Sequence, residues 1–275
     1  MKKIGIITFN SALKTDKTKD SKLVKEIKLN VELKGKVWTN KTIERLAKEV
    51  EKVKQIPKTS QPATGDIIKV YQAALKEFEQ IIVLTPDMAL SGTHQNAKLA
   101  QKMLEENSEK IHIVHTNSFA ISEVYFCEEA LLMIEQEKSM EEIVQHLNNL
   151  TSKITTYIIP GNFEYLKMSG RVNVAQLLVG KLMMLKLLIK HVHPEAKVYK
   201  KERGFKRILK DIAEEIDNES ITKIYCGHLN PDIKELQMLK QILGTKVEVI
   251  EAPYPSIIMA AHFGPKTLGF MTIKK

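Results

Sequence analysis

Three short, largely apolar segments decide the fold class before any other feature of the chain. Ile4-Gly5-Ile6-Ile7-Thr8 and Ile81-Ile82-Val83-Leu84-Thr85 carry little alternation, and Ile111-His112-Ile113-Val114-His115 is apolar apart from its two histidines; all three read as buried strands, as in parallel sheets. Helical stripes separate them. Residues 42–54 repeat apolar side chains at Ile43, Leu46, Ala47, Val50 and Val53, which predicts an amphipathic helix. Further helices are expected over 67–78, from the Ser91-Gly92-Thr93 turn to about 107, and over 118–137. Ser139-Met140-Glu141-Glu142 has the spacing of a capping box. Residues 28–33 alternate and predict a half-exposed strand ending at Gly35. Parallel strands joined by helices make a doubly wound sheet, assigned here to residues 1–155. Such sheets bind ligands beyond the carboxyl ends of their strands, and the Ser91 turn follows one of those ends.

The texture changes near residue 155. A strand over 154–159 is followed by a helical turn at 163–166, a break at Gly170-Arg171 and a Leu- and Met-rich helix over 174–188. Then come a short strand at 197–200, an amphipathic helix over 205–216, a strand over 221–228, a helix over 231–243 and strands at 246–250 and 267–273. Short strands beside helices predict an α+β lobe over residues 156–275.

The 275 residues, 43% of them hydrophobic, suffice for one or two domains. No run of about eighteen apolar residues predicts a membrane helix, and the apolar stretch after Met1-Lys2-Lys3 is too short for a secretory signal. Cys127 and Cys226 form no pairing pattern, so reduced thiols and a cytoplasmic location are expected. The net charge of +9 comes almost wholly from Lys; the arginines are Arg45, Arg171, Arg203 and Arg207. Lysines scattered among glutamates describe a solvated surface rather than a nucleic-acid footprint, while leaving transient contact with an anionic membrane open. Nucleotide-binding glycine motifs are missing. His191-Val192-His193 lacks nearby metal-ligand partners in sequence, so no metal is expected. Cys226 and His228 cannot easily face each other as nucleophile and base on a strand, where side chains alternate.

Two hydroxyl-rich segments, Pro57-Lys58-Thr59-Ser60-Gln61-Pro62 and Leu90-Ser91-Gly92-Thr93, precede predicted helices. Free helix-end N–H groups and small hydroxyl donors there could hold an anion. Singly, Thr59 and Ser60 read equally well as turn residues and Ser91 as a helix cap. His262, within Ala261-His262-Phe263-Gly264-Pro265, is the third element.

In this order, these segments together with Phe163-Glu164-Tyr165-Leu166-Lys167-Met168-Ser169-Gly170-Arg171 and Glu202-Arg203-Gly204 resemble the DegV family over nearly the whole chain. The resemblance implies a two-lobed DegV-like α/β fold and a monomeric, non-catalytic, cytoplasmic carrier. Such a carrier buries a long-chain fatty acid, needs no cofactor, and shows the carboxylate to the ATP-binding subunit of a separate fatty acid kinase. That kinase makes an acyl phosphate for phospholipid synthesis. Position by position, the carboxylate-binding hydroxyls fall on Thr59 and Ser91 and the histidine on His262; Ser60, Gly92 and Thr93 complete the expected head-group site. The family's kinase-facing arginines fall on Arg171 and Arg203. The chain departs from the family at Thr8-Phe9-Asn10-Ser11, where an acidic residue is replaced, at Ser118-Phe119-Ala120-Ile121-Ser122-Glu123 and at Gly264-Pro265-Lys266. It also lacks the usual Lys-Pro pair near residues 186–190.

A buried carboxylate needs several donors. The hydroxyls of Thr59 and Ser91, N–H groups at Gly92 and Thr93, and His262 supply them. Wall residues for the tail are expected among Leu177, Leu178, Leu182, Met183, Leu185 and residues 257–259. Two alternatives stand beside the carrier. One is an enzyme acting on a small anionic metabolite with His262 as general base. The other is a basic surface adaptor for membrane or nucleic acid.

Overall fold

The computed structural model describes residues 2–39, 42–172, 185–229 and 234–274. In chain order the first half comprises β1 (Lys2–Phe9), α1 (Asp16–Asp20), β2 (Val24–Ile27), β3 (Asn30–Leu33), β4 (Lys36–Val37), α2 (Ile43–Val53), β5 (Lys58–Ser60) and α3 (Thr64–Glu77). It continues with β6 (Phe78–Thr85), α4 (Thr93–Lys102), a 3-10 turn (Ser108–Lys110), β7 (Ile111–His115), α5 (Ile121–Glu135) and α6 (Met140–Leu150). The second half comprises β8 (Ile154–Ile159), α7 (Phe163–Ser169), β9 (Leu185–Val192), β10 (Glu195–Arg203), α8 (Phe205–Asn218) and β11 (Lys223–His228). It closes with α9 (Lys234–Leu243), β12 (Glu248–Ala252), α10 (Ile257–Phe263) and β13 (Leu268–Ile273).

The three largely apolar segments lie on β1, β6 and β7, neighbours in an all-parallel sheet of order β2-β1-β6-β7. Ile6, Ile7, Ile81, Ile82 and Val83 are fully buried, because helices cover both faces of such a sheet. The second sheet, order β10-β9-β8-β13-β11-β12, is mixed: β11 and β12 are parallel and the other neighbours antiparallel. The α/β architecture with a second, mixed-sheet lobe is thus as expected. A third, small antiparallel sheet has order β4-β3-β5.

Helix α5 packs against β1 and β6 of one sheet and β8, β11 and β13 of the other. Ile121 through Cys127 are all buried, and a helix buried all round needs no polar stripe. Val124, Phe126 and Leu131 therefore share one core cluster with Ile82 of the first sheet and Met271 of the second. Ile208, Leu209 and Ile212 of α8, with Leu236 and Leu239 of α9, form a separate core against Ile224 and Phe270. At the start of α6, Glu142 N–H donates to Ser139 Oγ (3.2 Å) and Ser139 N–H donates to Glu142 Oε2 (2.8 Å), completing the expected box.

Two expectations are corrected. The strand expected over 28–33 is shorter, β3 at Asn30–Leu33, and a strand not expected from the sequence, β2 in a different sheet, ends just before it at Ile27. Between them Leu29 N–H donates to Asn10 Oδ1 (2.8 Å), and Asn10 Nδ2 donates to Leu29 O (3.2 Å). A side-chain amide thus completes the main-chain pairing while the chain crosses over. Asn can do both where Asp, lacking a donor, cannot. The helix expected over 174–188 is contradicted at its end: Leu185, Lys186, Leu187 and Leu188 are on β9, paired with β10. Residues 174–184 lie outside the described residues. Leu-rich sequence fits either element, and pairing between β8 and β10 decides it.

Candidate functional site

β5 runs antiparallel to β3, placing Thr59 opposite Val31 and Ser60 opposite Asn30. Thr59 and Ser60 are therefore strand residues, not loop residues at a helix mouth. The ladder engages their backbone and leaves their hydroxyls to the side-chain environment. α10 packs on β3 and β5. It begins at Ser256, whose hydroxyl donates to Asn10 O (2.6 Å) and accepts from Met259 N–H (3.4 Å). This double anchor presents the far end of α10 to β5, where His262 Nε2 lies 3.0 Å from Thr59 Oγ1.

A cavity of about 540 Å³ opens at this junction. Thr59, Ser60, Ser91, Gly92, His262 and Arg171 give it polar lining; Leu29, Leu90, Phe119, Ile258, Met259 and Phe263 give it apolar lining. Segments far apart in sequence thus meet at one hollow. The rings of Phe119 and Phe263 stack with centroids 6.0 Å apart. Thr93 does not line the cavity. It is fully buried behind Ser91, with its Oγ1 2.8 Å from Ser91 Oγ, and its N–H donates to Ser91 Oγ (3.3 Å). Ser91 therefore both accepts the first N–H of α4 and lines the cavity, while Gly92 holds the cap position. A Cβ on Gly92 would fall 2.2 Å from Gln61 Oε1, so glycine permits the close approach of the two segments.

His262 is 9% exposed. Burial, reinforced by the Arg171 cation, holds its imidazole down to about 3. It is neutral at physiological pH, a hydrogen-bond partner for Thr59 and too weak a base for proton abstraction near neutrality. Arg171 is exposed over much of its side chain, bonds the Ser169 carbonyl through its guanidinium, and is lowered by the burial of the rest. Arg203 stands exposed at the end of β10. Ser11, also in the lining, donates to Glu123 Oε2 (3.2 Å), which also accepts from Ala120 N–H (3.2 Å). Burial raises that carboxyl to about 8, so it is largely protonated at neutral pH.

Of the expected wall residues, Ile258 and Met259 line the cavity, whereas Ile257 and Leu185 do not. Leu177, Leu178, Leu182 and Met183 lie outside the described residues. Ser11, Leu29, Gln61 and Phe119 escaped the sequence reading. Gln61 sat inside the quoted Pro57–Pro62 segment and Ser11 beside Asn10, while Leu29 and Phe119 carried no signal. Burial moves the two thiols away from reactivity: Cys127 is pushed up to about 12, and Cys226 is raised further. Contrary to the isolation inferred for His191 and His193, both meet Asp87, whose Oδ2 is 2.8 Å from His191 Nε2 and 2.9 Å from His193 Nδ1. Both nitrogens are spent on one carboxylate oxygen. Among the described residues, no group of three or more His, Cys, Asp or Glu side chains is arranged to hold a metal ion. Nor, among them, is any helix long and apolar enough to cross a membrane.

Comparison with known proteins places this geometry. A DegV domain-containing protein of Listeria monocytogenes is 26% identical over 281 residues, covering 97% of each chain. The structure of a DegV family protein from Thermus thermophilus, described as fatty-acid-binding, superposes with a TM-score of 0.88 at 24% identity, covering 99% of this chain and 100% of that one. A stearic-acid-binding protein from Eubacterium ventriosum gives a TM-score of 0.86 at 18% identity, covering 99% and 98%. The family model described as DegV family matches residues 3–275. The chain belongs to the DegV family.

Proposed function

We propose that the protein is a fatty-acid-binding carrier whose ligand carboxylate lies among Thr59, Ser60, Ser91, Gly92 and His262, with Thr93 ordering Ser91 from behind. The observation that carries the reading is the meeting of Thr59, Ser91 and His262 at one cavity whose remaining lining is largely apolar. A carboxylate held by hydroxyls and one cation suits that polar lining, and burying the tail contributes about 0.8 kcal/mol per methylene. Fatty-acid binding by the Thermus and Eubacterium neighbours supports the assignment.

His262 disfavours the small-metabolite enzyme, since its basicity is shifted away from the range a general base needs. In the proposal the carrier performs no chemistry, works in the cytoplasm, and hands the carboxylate to the ATP-binding subunit of a fatty acid kinase. Exposed Arg203 and Arg171 would meet that partner. Arg171, through its place in the lining, would also screen the carboxylate's charge.

Native mass spectrometry of protein stripped of lipid and then offered oleate or stearate tests the proposal. One fatty acid per chain is expected, with Ser91→Ala retaining less. No uptake of either acid would end the carrier reading. Adding the kinase subunit and ATP should then consume the bound acid; binding without consumption would end only the partner role.

A further inference from the structure

Asp87 lies between β6 and α4 and is fully buried. Its main chain organises the turn: Asp87 N–H donates to Ser118 O (2.8 Å), and Asp87 O accepts from Leu90 N–H (3.1 Å) and Ser91 N–H (3.0 Å). Its Oδ1 accepts from Ala89 N–H (2.8 Å). Its Oδ2 reaches across to the second sheet, to His191 on β9 and to His193 just beyond it. Residue 87 does not line the cavity, but its neighbours Pro86, Met88, Leu90 and Ser91 do. One carboxylate thus fastens the segment that carries Ser91 to an element over one hundred residues away.

The surroundings are rich in imidazole. His115, at the end of β7, accepts Met88 N–H at Nε2 (3.0 Å), and its ring lies 5.6 Å from that of His193 and 4.7 Å from that of His94 on α4. His94 Nδ1 is 2.7 Å from Thr85 Oγ1. Lys98, also on α4, acts electrostatically on His94 and His115. Burial, with smaller help from Lys98 and neighbouring imidazoles, lowers His94 to about 4 and lowers His115 as well, so these two stay neutral near pH 7. Phe119 covers His191 edge-on, with centroids 5.0 Å apart. A buried carboxylate is costly unless hydrogen-bonded and charge-balanced. Each partner imidazole donates one N–H to Oδ2 whether neutral or cationic, and the cationic form makes the stronger bond. His193 is about a third exposed at its side chain (34%), so of the two partners it is the one whose replacement disturbs the core less.

We propose that Asp87 is a positioning residue for the ligand cavity, and that its bonds to His191 and His193 set how firmly segment 86–92 is held. The effect on ligand rests on the carrier reading above, whereas the effect on the segment does not.

The experiment has two readouts on wild type, on His193→Ala, which removes one donor to Asp87 Oδ2, and on His193→Asn, which keeps a donor near the Nδ1 position. First, hydrogen exchange at Ala89, Leu90 and Ser91 is measured without ligand at one pH. His193→Ala should lose protection there by on the order of fivefold, the value of one hydrogen bond, and His193→Asn should recover it. Second, oleate affinity should weaken in His193→Ala by a similar factor and recover in His193→Asn. Exchange in His193→Ala equal to wild type, or no recovery in His193→Asn, would overturn the proposal. Faster exchange with unchanged oleate affinity would overturn the positioning role. Oleate binding by none of the three proteins would overturn the carrier reading and leave the latch to the exchange result alone.

Discussion

Buried neutral, His262 makes folding pH-dependent in a calculable direction. Its folded-state value is lowered from 6.5 to about 3, by burial first and by Arg171 second. Above pH 6.5 neither state holds the proton and stability is unaffected. Below it the unfolded chain takes a proton that the folded chain refuses, so stability falls as pH drops from 6.5 towards 3. Each unit costs about 1.4 kcal/mol, so between pH 7 and 4.5 this side chain should remove about 2–3 kcal/mol. The assay is urea unfolding of wild type and His262→Gln at pH 7.0, 6.0, 5.0 and 4.5, with ligand-free protein. Gln keeps a polar group near Thr59 but does not titrate. Contributions from all other side chains are common to both proteins and cancel in the difference. The stability of wild type relative to the variant should fall by about 2–3 kcal/mol across that range. A difference constant within about 0.5 kcal/mol, the usual scatter of such extrapolations, would mean that the folded protein protonates His262 freely and that the buried, neutral site is wrong. Bound fatty acid should shrink the pH effect, since a nearby carboxylate favours the imidazolium.

Other outcomes follow from the same geometry. Thr59→Val or Ser91→Ala should each weaken fatty-acid binding by about 1.5–3 kcal/mol, the value of a hydrogen bond to a charged group, read by displacement of a fluorescent fatty acid. Arg171→Ala should weaken the same binding, whereas Arg203→Ala, at an exposed position, should leave it unchanged and alter only turnover with the kinase. Glu123 holds its proton up to about 8 when folded, so its contribution to wild-type stability should fall as pH rises from 4.5 to 8. Glu123→Gln should abolish that fall and be more stable at pH 8 by a few kcal/mol in chemical denaturation. Gly161→Ala should destabilise by about 3 kcal/mol or more, because the added Cβ would lie 1.7 Å from the Pro265 carbonyl oxygen, seen as a lowered unfolding midpoint.

The parallel sheet was legible because burial on both faces leaves a local mark: β1 and β6 are nearly continuous apolar runs, and β7 is apolar apart from His112 and His115. β9 was not legible. Leu185, Leu187, Leu188 and Ile189 suit a helix stripe or a strand, and only their place between β8 and β10 selects the strand. The crossing from β2 to β3 was hidden for a related reason, since Asn10 reads as a loop residue until Leu29 is opposite it. In the site, hydroxyl type and motif order pointed to Thr59, Ser60, Ser91 and His262. The lining role of Arg171 depends on how α7 ends, and the meeting of Asp87 with His191 and His193 depends on how the two sheets pack. Neither leaves a periodicity in the chain. Phe119 is one more buried aromatic until its stack with Phe263 is seen.

A crystal structure with oleate bound tests the central claim most directly. The account predicts the carboxylate within hydrogen-bond distance of Thr59 Oγ1 and Ser91 Oγ, with the chain running over Phe119, Met259 and Phe263. Oleate found with its carboxylate away from both hydroxyls, or a cavity still unfilled at saturating oleate, would contradict it.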